Sequence, residues 1–302
     1  MNKKKLPRYP VYVISKGRHD TNLTANFLIN DQVPFNLVVE PQEYDLYAKA
    51  LPSEYCNIVK TPFSNLGQGG IPARNFCWEH SKKQGHDRHW ILDDNIRCVR
   101  RLYKKKRIPC DSGVAFAACE DFTDRYQNIA ISGLNYTMFI VPQGKKGQPP
   151  FYLNNHVYSC LLIMNSLPHR WRGRYNEDTD LCLQVLADKW CTVLFNAFSI
   201  DKMRTMTMKG GNSDQLYDGD GRLKMARSLE RVWPGVVTTD RRYGRPQHVI
   251  ANAWKNFDTP LIPRADFDPT KLDVVDDYGM KVVQVKDTIK SEAVKRLLSE
   301  TD

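Results

Sequence analysis

Apolar residues in the first third of the chain come in short blocks, each ending abruptly in polar or charged positions. Arg8-Tyr9-Pro10-Val11-Tyr12-Val13-Ile14-Ser15-Lys16 reads as a strand that passes into Gly17-Arg18. Phe35-Asn36-Leu37-Val38-Val39-Glu40 is a second, finishing in a carboxylate, and Cys56-Asn57-Ile58-Val59-Lys60 is a third, leading to Ser64-Asn65-Leu66-Gly67-Gln68-Gly69-Gly70. His89-Trp90-Ile91-Leu92 suits a short central strand, and it stops at Asp93-Asp94-Asn95. Helical stretches lie between these blocks, over residues 20–31, 42–50 and 71–85. The alternation predicts an α/β fold with parallel strands and right-handed crossovers. All the polar strand ends then collect along one sheet edge, where open α/β sheets bind ligands.

Beyond this half the pattern changes. Residues 128–142 read as two strands, Ile129-Ala130-Ile131-Ser132-Gly133 and Thr137-Met138-Phe139-Ile140-Val141, around Leu134-Asn135-Tyr136. A polar Gly/Pro-rich loop follows over 143–150, then a buried strand, Val157 to Met164. Glu177 and Asp178 begin a helix with Leu181, Val185 and Leu186 at helical spacing, and Trp190 to Phe195 is a further strand. A helix is expected over about 222–232, and residues 256–302 read as an extension ending in the amphipathic segment Ile289 to Leu298.

The candidate chemistry starts at Asp93-Asp94-Asn95. Two carboxylates and an amide oxygen suit Mg²⁺ or Mn²⁺ held together with substrate phosphates. The plainer alternative is that Asp93 and Asn95 cap a turn. The surroundings favour the first reading. Ser15 to Arg18, the helix start Ile71-Pro72-Ala73-Arg74-Asn75, the acidic triplet and the later Tyr175-Asn176-Glu177-Asp178-Thr179-Asp180 together resemble a glycosyltransferase of the A-type fold. With Lys209-Gly210-Gly211 downstream, the pattern is most similar to the phage TET/JBP-associated glycosyltransferases that decorate hydroxymethylated DNA bases. The resemblance covers roughly residues 8–255.

That resemblance implies a single Rossmann-like nucleotide-sugar-binding domain with a mixed central sheet. Residues 8–110 would form the nucleotide-sugar half and 111–255 the acceptor half. It implies a nucleotide sugar, UDP-glucose or another UDP-sugar, bound by Ser15, Lys16, Arg18, Glu40, Arg74, Asn75, Asp93, Asp94, Lys209 and Gly210. A metal would sit on Asp93, Asp94 and Asn95 with His248 as a late ligand. Many such enzymes end the triplet in aspartate, so Asn95 is a departure that bears on metal affinity. In an inverting reaction a carboxylate near the acceptor removes its proton, here Asp178, with Glu177 raising its pKa or binding the acceptor.

The composition adds a partner. Lys and Arg total 44 against 34 Asp and Glu, a formal charge of +10. Cations cluster with aromatics at Arg97 to Arg107 (including Lys104 and Lys105), at His169-Arg170-Trp171-Arg172-Gly173-Arg174-Tyr175, and at Asp240 to Arg245. A single cluster is ordinarily a solvated face. Two of these three abut the acidic motifs, which suits a phosphate-tracking, base-stacking surface for DNA. Trp171 or Tyr175 is then the expected stacking partner of a flipped base, and Arg170, Arg172 and Arg174 the expected phosphate contacts. No apolar run approaches membrane-spanning length, and eight scattered cysteines lack a Cys-x-x-Cys pair, which suits the cytoplasm, a host's if the gene is a phage's. His86 and His89 read as surface or strand-edge residues. A transferase acting on a glycan or small molecule, and a non-catalytic DNA-binding protein on a transferase fold, remain the alternatives at this level.

Overall fold

The first, second and fourth strand blocks run apolar without alternation because both of their faces are covered. The computed structural model describes residues 4–103, 106–140, 149–203, 221–242, 244–250, 253–268 and 270. β1 (Val11–Ile14), β2 (Phe35–Val39), β3 (Cys56–Lys60) and β4 (Arg88–Asp93) pair in parallel in the order β3-β2-β1-β4. Alternate residues serve opposite layers. Val11, Val13, Trp90 and Leu92 enter one core with Leu28 and Phe116, whereas Tyr12 and Ile91 enter another with Trp78, Leu161 and Trp171. The crossovers carry α1 (Leu23–Asn30), α2 (Tyr44–Ala50) and α3 (Ile71–Lys83). α1 starts where the Asn22 side chain accepts the Ala25 N–H at 2.9 Å. α3 starts at Gly70 with a proline in its first turn, where a missing N–H costs nothing.

After β4 the sheet becomes mixed. β5 (Ile96–Tyr103), β6 (Lys106–Cys110), α4 (Ser112–Thr123), β7 (Ile129–Tyr136), β8 (Phe151–Leu153), β9 (Cys160–Met164), α5 (Glu177–Ala187) and β10 (Cys191–Lys202) follow in sequence. Among the described residues the sheet has ten strands, ordered β3-β2-β1-β4-β9-β7-β10-β5-β6 with β8 on β10. α6 (Gly221–Val232) and a separate hairpin, β11 (Thr238–Arg242) with β12 (Arg245–Val249), complete these elements. The expected mixed α/β sheet is present.

Several expected elements differ. The described residues of the 128–142 stretch, 128–140, form no hairpin. Leu134 and Asn135 are buried and β7 continues along β10 to Tyr136, after which Thr137–Phe139 is one turn of 3₁₀ helix. β10 runs to Lys202, well past Phe195, because its second half pairs with β5 instead of β8. The basic run after the acidic triplet is largely the β5–β6 ribbon at the sheet edge. His89 is not on the surface: it is 0 % exposed on β4, its Nδ1 lies 2.6 Å from Asn165 Oδ1, and burial pushes its pKa down to about 4. Just past residue 255 the chain is anchored on the domain. Thr259 O and Pro260 O accept from Asn154 and Asn128, and Tyr126 bridges to Pro263. The segment Ile289 to Leu298 lies outside the described residues.

Gly133 permits a close approach of the chain around Cys160 to β7. A Cβ there would lie 2.2 Å from Cys160 O and 2.5 Å from Val157 Cγ1, and backbone cannot yield to that overlap as a flexible side chain does. Gly133→Ala is expected to cost about 3 kcal/mol, at the upper end for overpacking. Urea unfolding measures it, and a loss below about 1 kcal/mol would mean that β7 and β9 separate easily.

Candidate active site

The carboxyl ends of β1, β2 and β4 open into a cavity of about 330 Å³. Strand order reverses between β1 and β4, so the cavity lies at the switch point where helices on opposite faces diverge. Ser15, Lys16 and Arg18 follow β1, Glu40 follows β2, and Gly69 and Gly70 open α3; all line it. Lys16 Nζ donates to Glu40 Oε2 at 2.8 Å and Asn65 N donates to the same oxygen at 3.1 Å. These bonds hold the Glu40 carboxyl below its ordinary pKa despite partial burial.

The far wall comes from the second half of the chain, and its register explains why. β4 ends at Asp93, β5 begins three residues later at Ile96, and Lys202 at the end of β10 pairs with Ile96 across a bulge. The pairing delivers Lys202 Nζ to Asp93 Oδ2 at 2.6 Å. The same ammonium donates to Ser159 Oγ at 2.6 Å and Tyr136 Oη at 3.3 Å. Ser159 occupies the left-handed region, with φ of 61°, as does Asn176 just before α5, with φ of 55°. Strained backbone at both places is what an over-determined site retains.

Arg74 joins the two acidic motifs. It is 6 % exposed on α3, its Nη2 donates to Asp93 Oδ1 at 2.7 Å, and its Nε lies 3.6 Å from Glu177 Oε1. The guanidinium sits 4.8 Å from the Trp171 ring centroid, while Nη1 is buried without a hydrogen-bond partner. Burial would raise Asp93, but Lys202 and Arg74 hold its carboxyl well below the usual range. In Asp94 burial wins and the pKa is raised, although Arg18 Nη1 and Ser15 Oγ both donate to it, the latter at 2.7 Å.

The acidic pair divides in the opposite sense to expectation. The expected base is Asp178, with Glu177 raising its pKa or binding the acceptor. Burial pushes it up, but His156, whose Nε2 lies 3.4 Å from Oδ2, and the Thr179 N–H bring it down to about 2. Glu177 is the one raised, by burial first, with Arg74 opposing and Asp178 reinforcing. Glu177 is therefore better suited to take a proton near neutral pH.

The donors fit a divalent ion poorly. Asp93 Oδ1 and Oδ2 already accept from Arg74 and Lys202, and Asp94 Oδ1 and Oδ2 from Arg18 and Ser15. Among the described residues no three His, Cys, Asp or Glu side chains converge as ligands. Asn95 lines the cavity with Oδ1 buried and unpartnered, one free oxygen where a metal needs several. His248 is half-buried on β12 and does not line the cavity; burial and then His156 lower its pKa, with Asp178 opposing.

Other expected residues also fall elsewhere. Asn75 exchanges hydrogen bonds with the Trp171 backbone, at 2.9 and 3.1 Å, and so fixes the loop before α5 without lining the cavity. Trp171 is 2 % exposed and cannot stack on a flipped base. Arg170 is spent on Glu79 and the Trp78 face. Arg172 forks onto Asp180, at 2.9 and 3.1 Å, which Trp233 Nε1 also bonds. Arg174 and Tyr175 do line the cavity. Lys104, Lys105, Lys209 and Gly210 lie outside the described residues. Lys202, Ser159, Tyr136 and His156 were not anticipated. Only the Asp201-Lys202 end of a long apolar run could have flagged the first.

A second hollow shares Tyr136 and Lys202 with the first and is lined by Arg97, Thr137, Met138, Ile200, Asp201 and Met203. Met138 in its lining is 58 % exposed; the next residue, Phe139, is 56 % exposed and its ring stacks on Tyr136 at 5.6 Å.

No curated protein matches the chain. The family model described as TET-Associated Glycosyltransferase matches residues 9–211, a span that takes in every strand end around the cavity, both acidic motifs and Lys202. With two thirds of its length covered, and the acidic motifs held against one nucleotide-sized cavity, the chain belongs to the TET-associated glycosyltransferases and is itself a glycosyltransferase.

Proposed function

We propose that the enzyme moves a sugar from a UDP-sugar to the hydroxymethyl group of a modified pyrimidine, 5-hydroxymethylcytosine or 5-hydroxymethyluracil, in DNA. The observation that carries this reading is the cavity itself. Strand-end polar groups suited to a nucleoside diphosphate lie on one side, and a raised carboxylate, Glu177, faces them through Arg74. Glu40 at the end of β2 stands where doubly wound folds place the acid that binds ribose hydroxyls. In the transfer, the bond between the anomeric carbon and the diphosphate oxygen breaks through an oxocarbenium-like state. The diphosphate leaves with the electron pair, the acceptor oxygen bonds to the anomeric carbon, and its proton passes to Glu177.

The DNA part rests on charge and on the exposed rim. Arg97, Lys106 and Arg107 are exposed on the β5–β6 ribbon, and Arg241, Arg242 and Arg245 on the β11–β12 hairpin. Exposed Phe139, stacked on Tyr136, with Met138 beside it in the second hollow, would take the stacking role that buried Trp171 does not fill. A flipped pyrimidine on Phe139 would present its hydroxymethyl group toward the shared wall of the two hollows. Phe139→Ala is expected to weaken binding of hydroxymethylated DNA by about 1–3 kcal/mol, the worth of one base–aromatic stack, with UDP affinity unchanged. Fluorescence anisotropy checks this together with the reading itself. Tight binding at low salt with a steep logarithmic salt slope supports a DNA acceptor, and absence of binding at low salt points to a glycan or small molecule.

A further inference from the structure

A donor diphosphate carries negative charge that must be neutralised as the sugar leaves, and A-type transferases commonly use a divalent ion. Here two side-chain cations already hold the places that such an ion would need. Lys202 Nζ is 2.6 Å from Asp93 Oδ2, and Arg74 Nη2 is 2.7 Å from Asp93 Oδ1, so each oxygen of the first carboxylate faces a fixed positive charge. Asp94 lines the same cavity, but its two carboxylate oxygens already accept from Arg18 and Ser15. The unpartnered donor on Arg74 points the same way. Arg74 Nη1 is a donor awaiting an acceptor oxygen, which a phosphate supplies and a metal ion does not.

We infer that Lys202 and Arg74 act in place of a divalent cation, so that this glycosyltransferase binds the nucleoside diphosphate of its donor without metal. The inference rests on the nucleotide-sugar reading above. Asp93 then serves as an anchor that fixes two cations, not as a metal ligand. Lys202 keeps its two 2.6 Å bonds, to Asp93 and Ser159, and exchanges its longer 3.3 Å bond to Tyr136 for a phosphate oxygen. Arg74 offers the free Nη1 to a second oxygen while its Nε remains beside Glu177. Asn95 fits the same scheme: an amide in the last triplet position adds no charge that Lys202 would have to counter.

The test is isothermal titration of the full chain with UDP, once in EDTA and once in excess Mn²⁺, with a parallel titration of Mn²⁺ into the UDP-saturated protein. The expected result is a UDP Kd equal within about twofold in the two buffers, and no stoichiometric Mn²⁺ uptake. A Kd tenfold or more weaker in EDTA, or one Mn²⁺ bound per chain and lost in Asp93→Asn, overturns the inference and leaves the nucleotide-sugar reading standing. Absence of UDP binding in both buffers overturns both. Lys202→Met is expected to weaken UDP binding in EDTA by tenfold or more, and Lys202→Arg to recover most of it. Unchanged affinity in a folded Lys202→Met protein, judged by its circular-dichroism melt, also overturns the inference.

Discussion

Glu177→Gln is expected to lower turnover by a hundredfold or more while leaving UDP affinity nearly unchanged, the usual consequence of removing a general base. Glu177 opens α5 with its carboxyl in the cavity wall, where burial raises its pKa and Arg74 only partly restores the charged form. The base must be deprotonated to act. Because its pKa is raised, activity should fall as pH drops through a value above the ordinary carboxylate range, and that acid limb should vanish in the glutamine variant. Asp178 is held low by His156 and stays ionised across the same window. Its substitution by asparagine should therefore leave the acid limb in place. If Asp178→Asn abolishes turnover and the limb while Glu177→Gln keeps both, the roles of the two carboxylates are reversed.

The second large effect is expected at Arg74. Arg74→Met leaves Asp93 and Glu177 buried with one cation fewer, and breaking a buried ion pair by removing a partner costs about 3–5 kcal/mol. Chemical denaturation should show that loss, and UDP titration at a temperature where the variant is folded should show affinity down by tenfold or more. Arg74→Lys should recover little of either. Lysine cannot reach Asp93 and Glu177 together, nor stack on Trp171 at 4.8 Å while doing so. Wild-type stability and affinity in Arg74→Lys would reduce the guanidinium to a replaceable charge.

The parallel half of the fold was legible in the sequence because its signals are local. Each strand is a short apolar block closed by a polar end, and each crossover helix fits between two of them, so β1 to β4 and α1 to α3 lie close to where the pattern puts them. The mixed half was less legible because its pairing is not local. Nothing near Gly133 announces that β7 continues, since its missing Cβ matters only through the approach of Cys160 in β9 and of Val157 just before that strand. The same holds for the site. Ser15, Arg18, Glu40, Arg74, Asp93 and Asp94 sit at strand ends or a helix start, where position follows from pattern. Lys202 reaches Asp93 only through a bulged register between β10 and β5, which no spacing in the chain encodes. The arginine and tryptophan run at 170–172 misled for a related reason. Composition cannot tell a cation offered to phosphate from one spent on Glu79 or Asp180 inside the fold.

The central claim is transfer to a hydroxymethylated base in DNA, and nucleoside mass spectrometry tests it most directly. Duplex DNA containing 5-hydroxymethylcytosine or 5-hydroxymethyluracil is incubated with the enzyme and a panel of UDP-sugars, digested to nucleosides and analysed. The expected result is a new nucleoside heavier than the hydroxymethylated one by a single dehydrated sugar, absent with unmodified DNA and with Glu177→Gln. Release of UDP with no change in any nucleoside mass, across the whole panel and both bases, would contradict the claim and move the acceptor outside DNA.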